Sequence, residues 1–458
     1  MTVLDTAVDP RSPAHLENRG AMLERLADLE SALEAARAGG GEKNVTRHHA
    51  RGKLLPRERV ELLLDQDAPF LELSPVAAWG TEFPVGASVV TGVGVVEGVE
   101  CVVVAHDPTV HGGAVNPFTD RKVRRAAEIA AANRLPLLTM VESTGSGSPA
   151  PGAVAAELAR HRVPTVCVVF GPTSGDAVYL PALSDQLILV GPQARVQLSQ
   201  QADGQHDGLA DFVAEDERDG IRLARLCVRR LNWRKLGPAP RSAEPVPPRH
   251  EMEDLLTIAG SFPAGPFEAR EVLARVLDGS VFDEFKPGYG PELVCGWGEV
   301  HGYPVAVLAV GGSPASAEAR KGAHFVQLAN ASATPLVELR HPGNRAAAGG
   351  DVSSAALLVN ALANSVVPRL AVTLGEGVRE PGHRFGFRWP SNPLPVGLVP
   401  SPGGGDAPKA SAAMYASGHL HDDGVIDPRD TRTVLGICLS AVHSGPIGGA
   451  ASYGVFRV

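Results

Sequence analysis

The stretch VVTGVGVVEGVECVVVA, residues 89–105, returns as LVCGWGEVHGYPVAVLA, residues 293–309, with Gly92 and Gly98 displaced by the same 204 residues to Gly296 and Gly302. The correspondence continues outward. RKVRRAAEIAAANRLPLLTMVESTG from Arg121 answers to RKGAHFVQLANASATPLVELRHPG from Arg320, and Pro136 moves by 199 residues to Pro335. HRVPTVCVVFG from His161 answers to SVVPRLAVTLG from Ser365, and the step from Pro164 to Pro368 restores the displacement of 204. A duplication on this scale makes the chain two copies of one folding unit, with small loop changes accounting for the drift.

Within the first copy, β-branched runs at Val89–Val95 and Cys101–Ala105 precede a stretch with apolar residues three and four apart, and then a buried strand entered after a proline. Strands alternating with helices imply an α/β sheet. The strand 137–141 runs into Glu142-Ser143-Thr144-Gly145-Ser146-Gly147, and the strand 166–170 into Gly171-Pro172-Thr173-Ser174-Gly175-Asp176-Ala177; both are strand-to-loop-to-helix junctions. Prolines exclude regular structure between the copies over residues 237–248. The expected organisation is an amphipathic helix and lead-in over 1–45, a first domain over 46–236, a proline-rich linker over 237–265 and a second domain over 266–458. The helix carries Met22, Leu23, Leu26, Leu29 and Leu33 at helical spacing, and because its polar side is not basic it is expected to pack on protein rather than on lipid.

Composition fits a two-domain globular protein: 458 residues, 44% apolar and 20% charged. A net charge of −9, with no basic face interleaved with aromatics, argues against nucleic-acid binding. No apolar run reaches bilayer length and the opening residues lack the order of a signal peptide, so a cytoplasmic protein without membrane contact is expected. The cysteines 101, 167, 227, 295 and 438 are odd in number and scattered through apolar stretches, and read as reduced core residues. No metal is expected: His419-Leu420-His421-Asp422-Asp423 reads as a solvated loop rather than a ligand set.

Several longer blocks carry a family resemblance: HHARGKLLPRERVELLLD from His48, VVVAHDPTVHGGAVNPFTDRKVRRAAEIAAANRLPLL from Val102, AVYLPALSD from Ala177, GLADFVAEDERDGIRLARLCVRRLNW from Gly208, AREVLARVLDGSVFDEFKPGYG from Ala269, RKGAHFVQLA from Arg320 and DDGVIDPRDTRTVLG from Asp422. From about residue 45 to the C-terminus the chain resembles the carboxyltransferase (β) subunits of biotin-dependent acyl-CoA carboxylases, most of all the methylcrotonyl-CoA type. The resemblance implies two tandem crotonase-like domains, and a homodimer or hexamer with active sites shared between the N-half of one subunit and the C-half of another. It also implies an acyl-CoA substrate and carboxybiotin as carboxyl donor. The chain has no Met-Lys-Met sequence, so biotin is expected on a separate carrier, with a biotin carboxylase as partner.

In that chemistry an enolate forms on the thioester and a second oxyanion on the biotin ring, and main-chain N–H groups at helix starts stabilise both. The residues implied for this are Gly145, Gly147, Gly175, Asp176 and Ala177 in the first copy, with Gly382 and His383 in the second. Ligand contacts are expected from His111, Gly112, Gly113, Arg121, Lys122, Gly343, Gly349 and Gly350, and His106 also lies near the expected cleft. Ser174-Gly175 lacks the glycine spacing of a hydrolase nucleophile elbow.

Where relatives carry Asp-Ser-Gly-Gly-Ala this chain has Glu142-Ser143-Thr144-Gly145-Ser146, and where they carry Ala-Gly-Gly-Ala it has Ser174-Gly175-Asp176-Ala177. A carboxylate about 5 Å from an enolate oxygen, at an effective dielectric of about 20, costs roughly 3 kcal/mol, about a hundredfold in rate. Asp176 is therefore expected to turn away, or the pocket to do other work. Two alternatives stand beside carboxyl transfer: biotin-independent thioester chemistry in the same fold (decarboxylation, hydrolysis or acyl transfer), or a structural subunit beside an active paralogue.

Overall fold

A computed structural model of the chain describes residues 2–145, 150–197, 209–261, 267–312, 314–341, 352–375, 382–391, 411–451 and 454. By internal contact the chain forms two compact units, one of Ser31–Lys235 with Ser417–Leu420, the other of Met1–Glu30, Leu236–Ala416 and His421–Val458. After β1 (Thr2–Val3) and α1 (Pro13–Arg37), the N-half unit runs α2 (Glu42–His49), α3 (Pro56–Leu63), β2 (Leu71–Glu72), β3 (Val89–Val96), β4 (Val99–His106), α4 (Pro117–Asn133), β5 (Leu137–Val141), α5 (Ala150–Arg160), β6 (Thr165–Val169), β7 (Pro172–Thr173), α6 (Tyr179–Ala182), β8 (Gln186–Val190), β9 (Arg195–Val196), β10 (Phe212–Ala214) and α7 (Glu217–Arg230). The C-half unit continues with α8 (Leu255–Gly260), α9 (Ala269–Val276), β11 (Val281–Glu284), β12 (Val294–Val300), β13 (Tyr303–Gly311), α10 (Ser316–Ala331), β14 (Leu336–His341), α11 (Val352–Ala363), β15 (Arg369–Thr373), β16 (Phe385–Arg388), α12 (Ala412–Gly418) and α13 (Thr431–Val442).

Each unit is built on one sheet, ordered β10-β8-β6-β5-β4-β3-β2 in the first and β1-β11-β12-β13-β14-β15-β16 in the second. The hairpins β3–β4 and β12–β13 are antiparallel, and every later neighbour is parallel. The repeat thus survives strand for strand, with β3, β4, β5 and β6 matching β12, β13, β14 and β15. Thr2 and Val3 pair with Phe282 and Val281, which attaches the start of the chain to the C-half sheet. In α1, Met22, Leu29 and Ala32 are buried while Leu23, expected on the same apolar face, is exposed. All five cysteines are buried and form no disulfide. Among the described residues no helix is long and apolar enough to cross a membrane.

The duplication extends to polar anchors. Asp65 accepts the amides of Glu97 and Gly98, both at 2.8 Å, at the β3–β4 turn. Asp278 accepts those of His301 and Gly302 at 2.9 and 2.7 Å at the β12–β13 turn. Arg225 holds Asp65 at 2.9 Å and donates to the carbonyls of Leu63 and Leu64; Arg432 holds Asp278 at 2.6 Å and donates to that of Val276. Buried Lys122 donates to the carbonyls of Gly86 and Val89, and buried Lys321 to those of Gly290 and Leu293. Replacing Asp65 or Asp278 with alanine leaves two turn amides without their acceptor and takes one of several partners from the arginine. Each variant is expected to lose about 1–3 kcal/mol in its own unit, read by urea unfolding.

Candidate active site

The carboxyl ends of parallel strands collect the loops that bind ligands in open α/β sheets. At the ends of β4, β5 and β6 three turns of the N-half unit lie side by side, and pairing continues past the strands as bridges from Ala114 to Thr144 and from Thr144 to Ser174. Thr144 N–H donates to Gly113 O at 3.3 Å, and Ser143 Oγ to the same carbonyl at 2.7 Å. The three turns touch closely enough to demand glycine. A Cβ on Gly113 would fall 2.4 Å from Glu142 O, and one on Gly145 would fall 1.7 Å from Asp176 Oδ1 and 2.4 Å from Asp176 N.

This packing decides which amides are already bonded within the protein. The Gly145 N–H, expected to serve an anion, donates to Ser174 O at 2.9 Å, because the β5–β6 register carries on into the turns. Gly145 is therefore a packing element rather than a donor. Gly175 opens a short helical turn, Gly175–Val178, and its N–H has no acceptor among the described residues. Asp176 folds back so that its carboxylate lies against the Gly145 Cα.

A buried charge network underlies the turns. Lys53 pairs with Glu142 and donates to Phe170 O at 3.1 Å. Arg59, fully buried, bonds Glu142 Oε2 at 3.0 Å and both oxygens of Glu217 at 2.8 and 2.9 Å, with its guanidinium 4.1 Å over the Phe170 ring. The backbone N–H of Leu54 donates to Glu217, and Leu54 O lies 3.1 Å from His48 Nε2. The conspicuous block HHARGKLLPRER is thus the part of the chain that grips the base of the second turn. Glu142 also fills the space beside Gly171, where a Cβ would meet its carboxylate at 2.7 Å.

Other expected residues fall in different places. His111 and Gly112 form an exposed turn, both with positive φ. Arg121 stacks 4.3 Å from the Phe118 ring on α4. Lys122, expected to contact the ligand, points inward to the two carbonyls that it staples; burial lowers its pKa to about 8. In the C-half unit Gly382 is exposed, with φ +96°, and His383 is buried with Nε2 3.0 Å from Glu338 Oε1. Glu338 is held as well by Arg369 Nε at 2.6 Å and Arg340 Nε at 2.9 Å. Asp422 and Asp423, expected in a solvated loop, are buried: Asp422 pairs with Arg388, and Asp423 accepts the Gly386 amide at 2.7 Å to clamp β16. Gly147, Gly343, Gly349 and Gly350 lie outside the described residues.

A pair of duplicated α/β sheets with glycine-packed turns at the strand ends narrows the fold without naming the chemistry. The sequence matches the Carboxyl transferase domain over residues 47–201 and 193–379. The chain belongs to the carboxyl transferase family. Within this family it is 41% identical to the probable biotin-dependent acyl-coenzyme A carboxylase beta2 subunit of Mycobacterium tuberculosis, over 532 aligned residues and all of both chains. It is 32% identical to the mitochondrial methylcrotonoyl-CoA carboxylase beta chain of Dictyostelium discoideum, covering 100% of this chain and 91% of that one. The crystal structure of the P. aeruginosa geranyl-CoA carboxylase beta subunit superposes with a TM-score of 0.82 at 29% identity, over the whole of both chains. That likeness supports a crotonase-like fold for the carboxyl transferase units described above.

Proposed function

We propose that the chain is the carboxyltransferase subunit of a biotin-dependent acyl-CoA carboxylase. Full-length identity of 41% to an acyl-CoA carboxylase beta subunit carries this reading. The donor is carboxybiotin on a separate carrier, and the acceptor is the α-carbon of an acyl-CoA. The α-proton leaves to the biotin ureido group, so the protein needs no side-chain base; its work is to hold the enolate oxygen. In the N-half unit the Gly175 amide, at the start of a helical turn, suits that role, and Ala177 shapes the adjoining wall. In the C-half unit the main chain at Gly382 and His383 is assigned to the biotin-side anion, and Gly343, Gly349 and Gly350 to ligand contact. The working assembly is a homodimer or hexamer in the cytoplasm, joined by a biotin carboxylase and a biotin carrier.

An alignment of 532 positions against 458 residues leaves at least 74 positions (532 − 458) with no counterpart in this chain. The test is transfer of labelled bicarbonate to acyl-CoA by the purified chain supplied with biotin carboxylase and carrier. Incorporation is the expected result. Its absence across short, branched and long acyl groups overturns the reading and leaves a scaffold subunit, which co-purification with an intact paralogue would reveal.

A further inference from the structure

The duplication offers a comparison within one molecule. Asp65 and its counterpart Asp278 are 213 residues apart (278 − 65), and the same step carries Arg57, paired with Glu72, to Arg270, paired with Glu284. Those contacts belong to the shared fold. The charge network beneath the 142–145 turn differs. The step of 213 carries Arg59 to Val272, which is fully buried, and the step of 199 that takes Pro136 to Pro335 carries Glu142 to His341, stacked 5.4 Å from the Phe267 ring. The C-half has buried charges of its own, but they centre on Glu338, the counterpart of Thr139 within the strand. Its sheet is completed with Val272 in place of the arginine. Buried charges carry a desolvation cost that a valine avoids, so a network kept in one copy alone calls for a reason local to that copy.

We propose that Lys53 is a positioning residue of the N-half site, its ammonium fixing the place of the Gly175 amide. The inference rests on the carboxyltransferase reading and adds a residue that acts through the main chain. Lys53 Nζ pairs with Glu142, the first residue past β5, and donates at 3.1 Å to the carbonyl of Phe170, the first residue past β6. It staples the two strand ends at the fork from which the 142–145 and 171–177 turns leave. Arg59 holds the other oxygen of Glu142 at 3.0 Å, and the carboxylate lies against Gly171, where a Cβ would fall 2.7 Å from it. At the far end of the run the Gly145 amide donates to Ser174 O at 2.9 Å. Residues 171–174 are thereby tied at both ends, and Gly175 follows the second tie directly. Loss of the ammonium releases the first tie. The Gly175 amide serves an oxyanion that develops only as the reaction proceeds, so its displacement lowers kcat and spares KM.

Lys53→Met keeps the aliphatic stem and removes the charge. With biotin carboxylase and carrier supplied, kcat is expected to fall about tenfold, the scale of a sub-ångström displacement, while KM for the acyl-CoA stays within about twofold. The melting temperature should stay within about 5 °C. Amide exchange at Gly145 and Gln197, which donate to Ser174 O and Thr173 O, should quicken about tenfold, with the β3–β4 amides unchanged. Unchanged kcat, or a rise in KM alone, overturns the inference and leaves carboxyl transfer standing. A melting temperature lowered by more than about 10 °C assigns Lys53 to the fold and overturns it as well. Should the unaltered chain carboxylate no acyl-CoA, the functional reading fails separately, and amide exchange decides the staple: equal rates at Gly145 and Gln197 in the two proteins refute it, and a quickening confined to these turns upholds it.

Discussion

Alanine in place of Glu338 should destabilise the C-half unit by about 3–5 kcal/mol, the penalty for stranding buried charges. Glu338 is fully buried at the centre of β14 and holds Arg369, Arg340 and His383 at once. Removal leaves Arg369, itself only 5% exposed, inside the sheet without its carboxylate. The same group sets an acid limit. Burial alone would raise its pKa, but the hydrogen bond from His383 and the charges of His383, Arg340 and Arg369 outweigh burial and hold the carboxyl well below the usual range. A folded-state pKa below the unfolded value of about 4.3 contributes stability that is complete above that pH and is lost as pH falls toward the folded value. Stability of the unaltered chain should therefore drop steeply below about pH 4.3, and Glu338→Gln should flatten that drop while lowering the plateau. Circular-dichroism melts from pH 3 to 7 give both quantities; equal slopes in the two proteins would refute the assignment.

Gly145→Ala is expected to reduce carboxyl transfer at least about a hundredfold in kcat/KM, the scale of a misplacement of about 1 Å at a reacting centre. The new methyl group meets a side-chain oxygen that can swing aside, but also the main-chain nitrogen of Asp176, which cannot. The 142–145 and 174–177 turns must then separate, taking the Gly175 amide from its position. The overpacking itself costs only about 1–3 kcal/mol, so the variant should still fold. Labelled-bicarbonate assays beside melting temperatures separate the two effects, and a variant with more than a tenth of the original activity would remove this turn from the site.

The repeat was legible because Gly98 and Gly302 close equivalent hairpins and Pro136 and Pro335 precede equivalent strands; local backbone demands leave a mark in one dimension. The anchors were not. Asp65 and Asp278 act on turns more than 20 residues away in sequence, and no local pattern announces such a bond. Lys122 was open to misreading because it sits in a run of cations. Its place four residues after Phe118 and its match to Lys321 carried the opposite signal, an inward lysine on both copies. For Gly145, residue type is not enough: whether its amide faces a ligand depends on the β5–β6 register, and here the register delivers Ser174 O to it.

The Asp65 and Asp278 clamps lie at the hairpin ends of β4 and β13, while the bridged turns of the N-half lie past the opposite end of β4. Alignment of the strands is thus fixed without help from the segments that follow them. Those segments are free to be exchanged, and chimaeras carrying a relative's connections between β9 and β10, or after β14, should keep this scaffold.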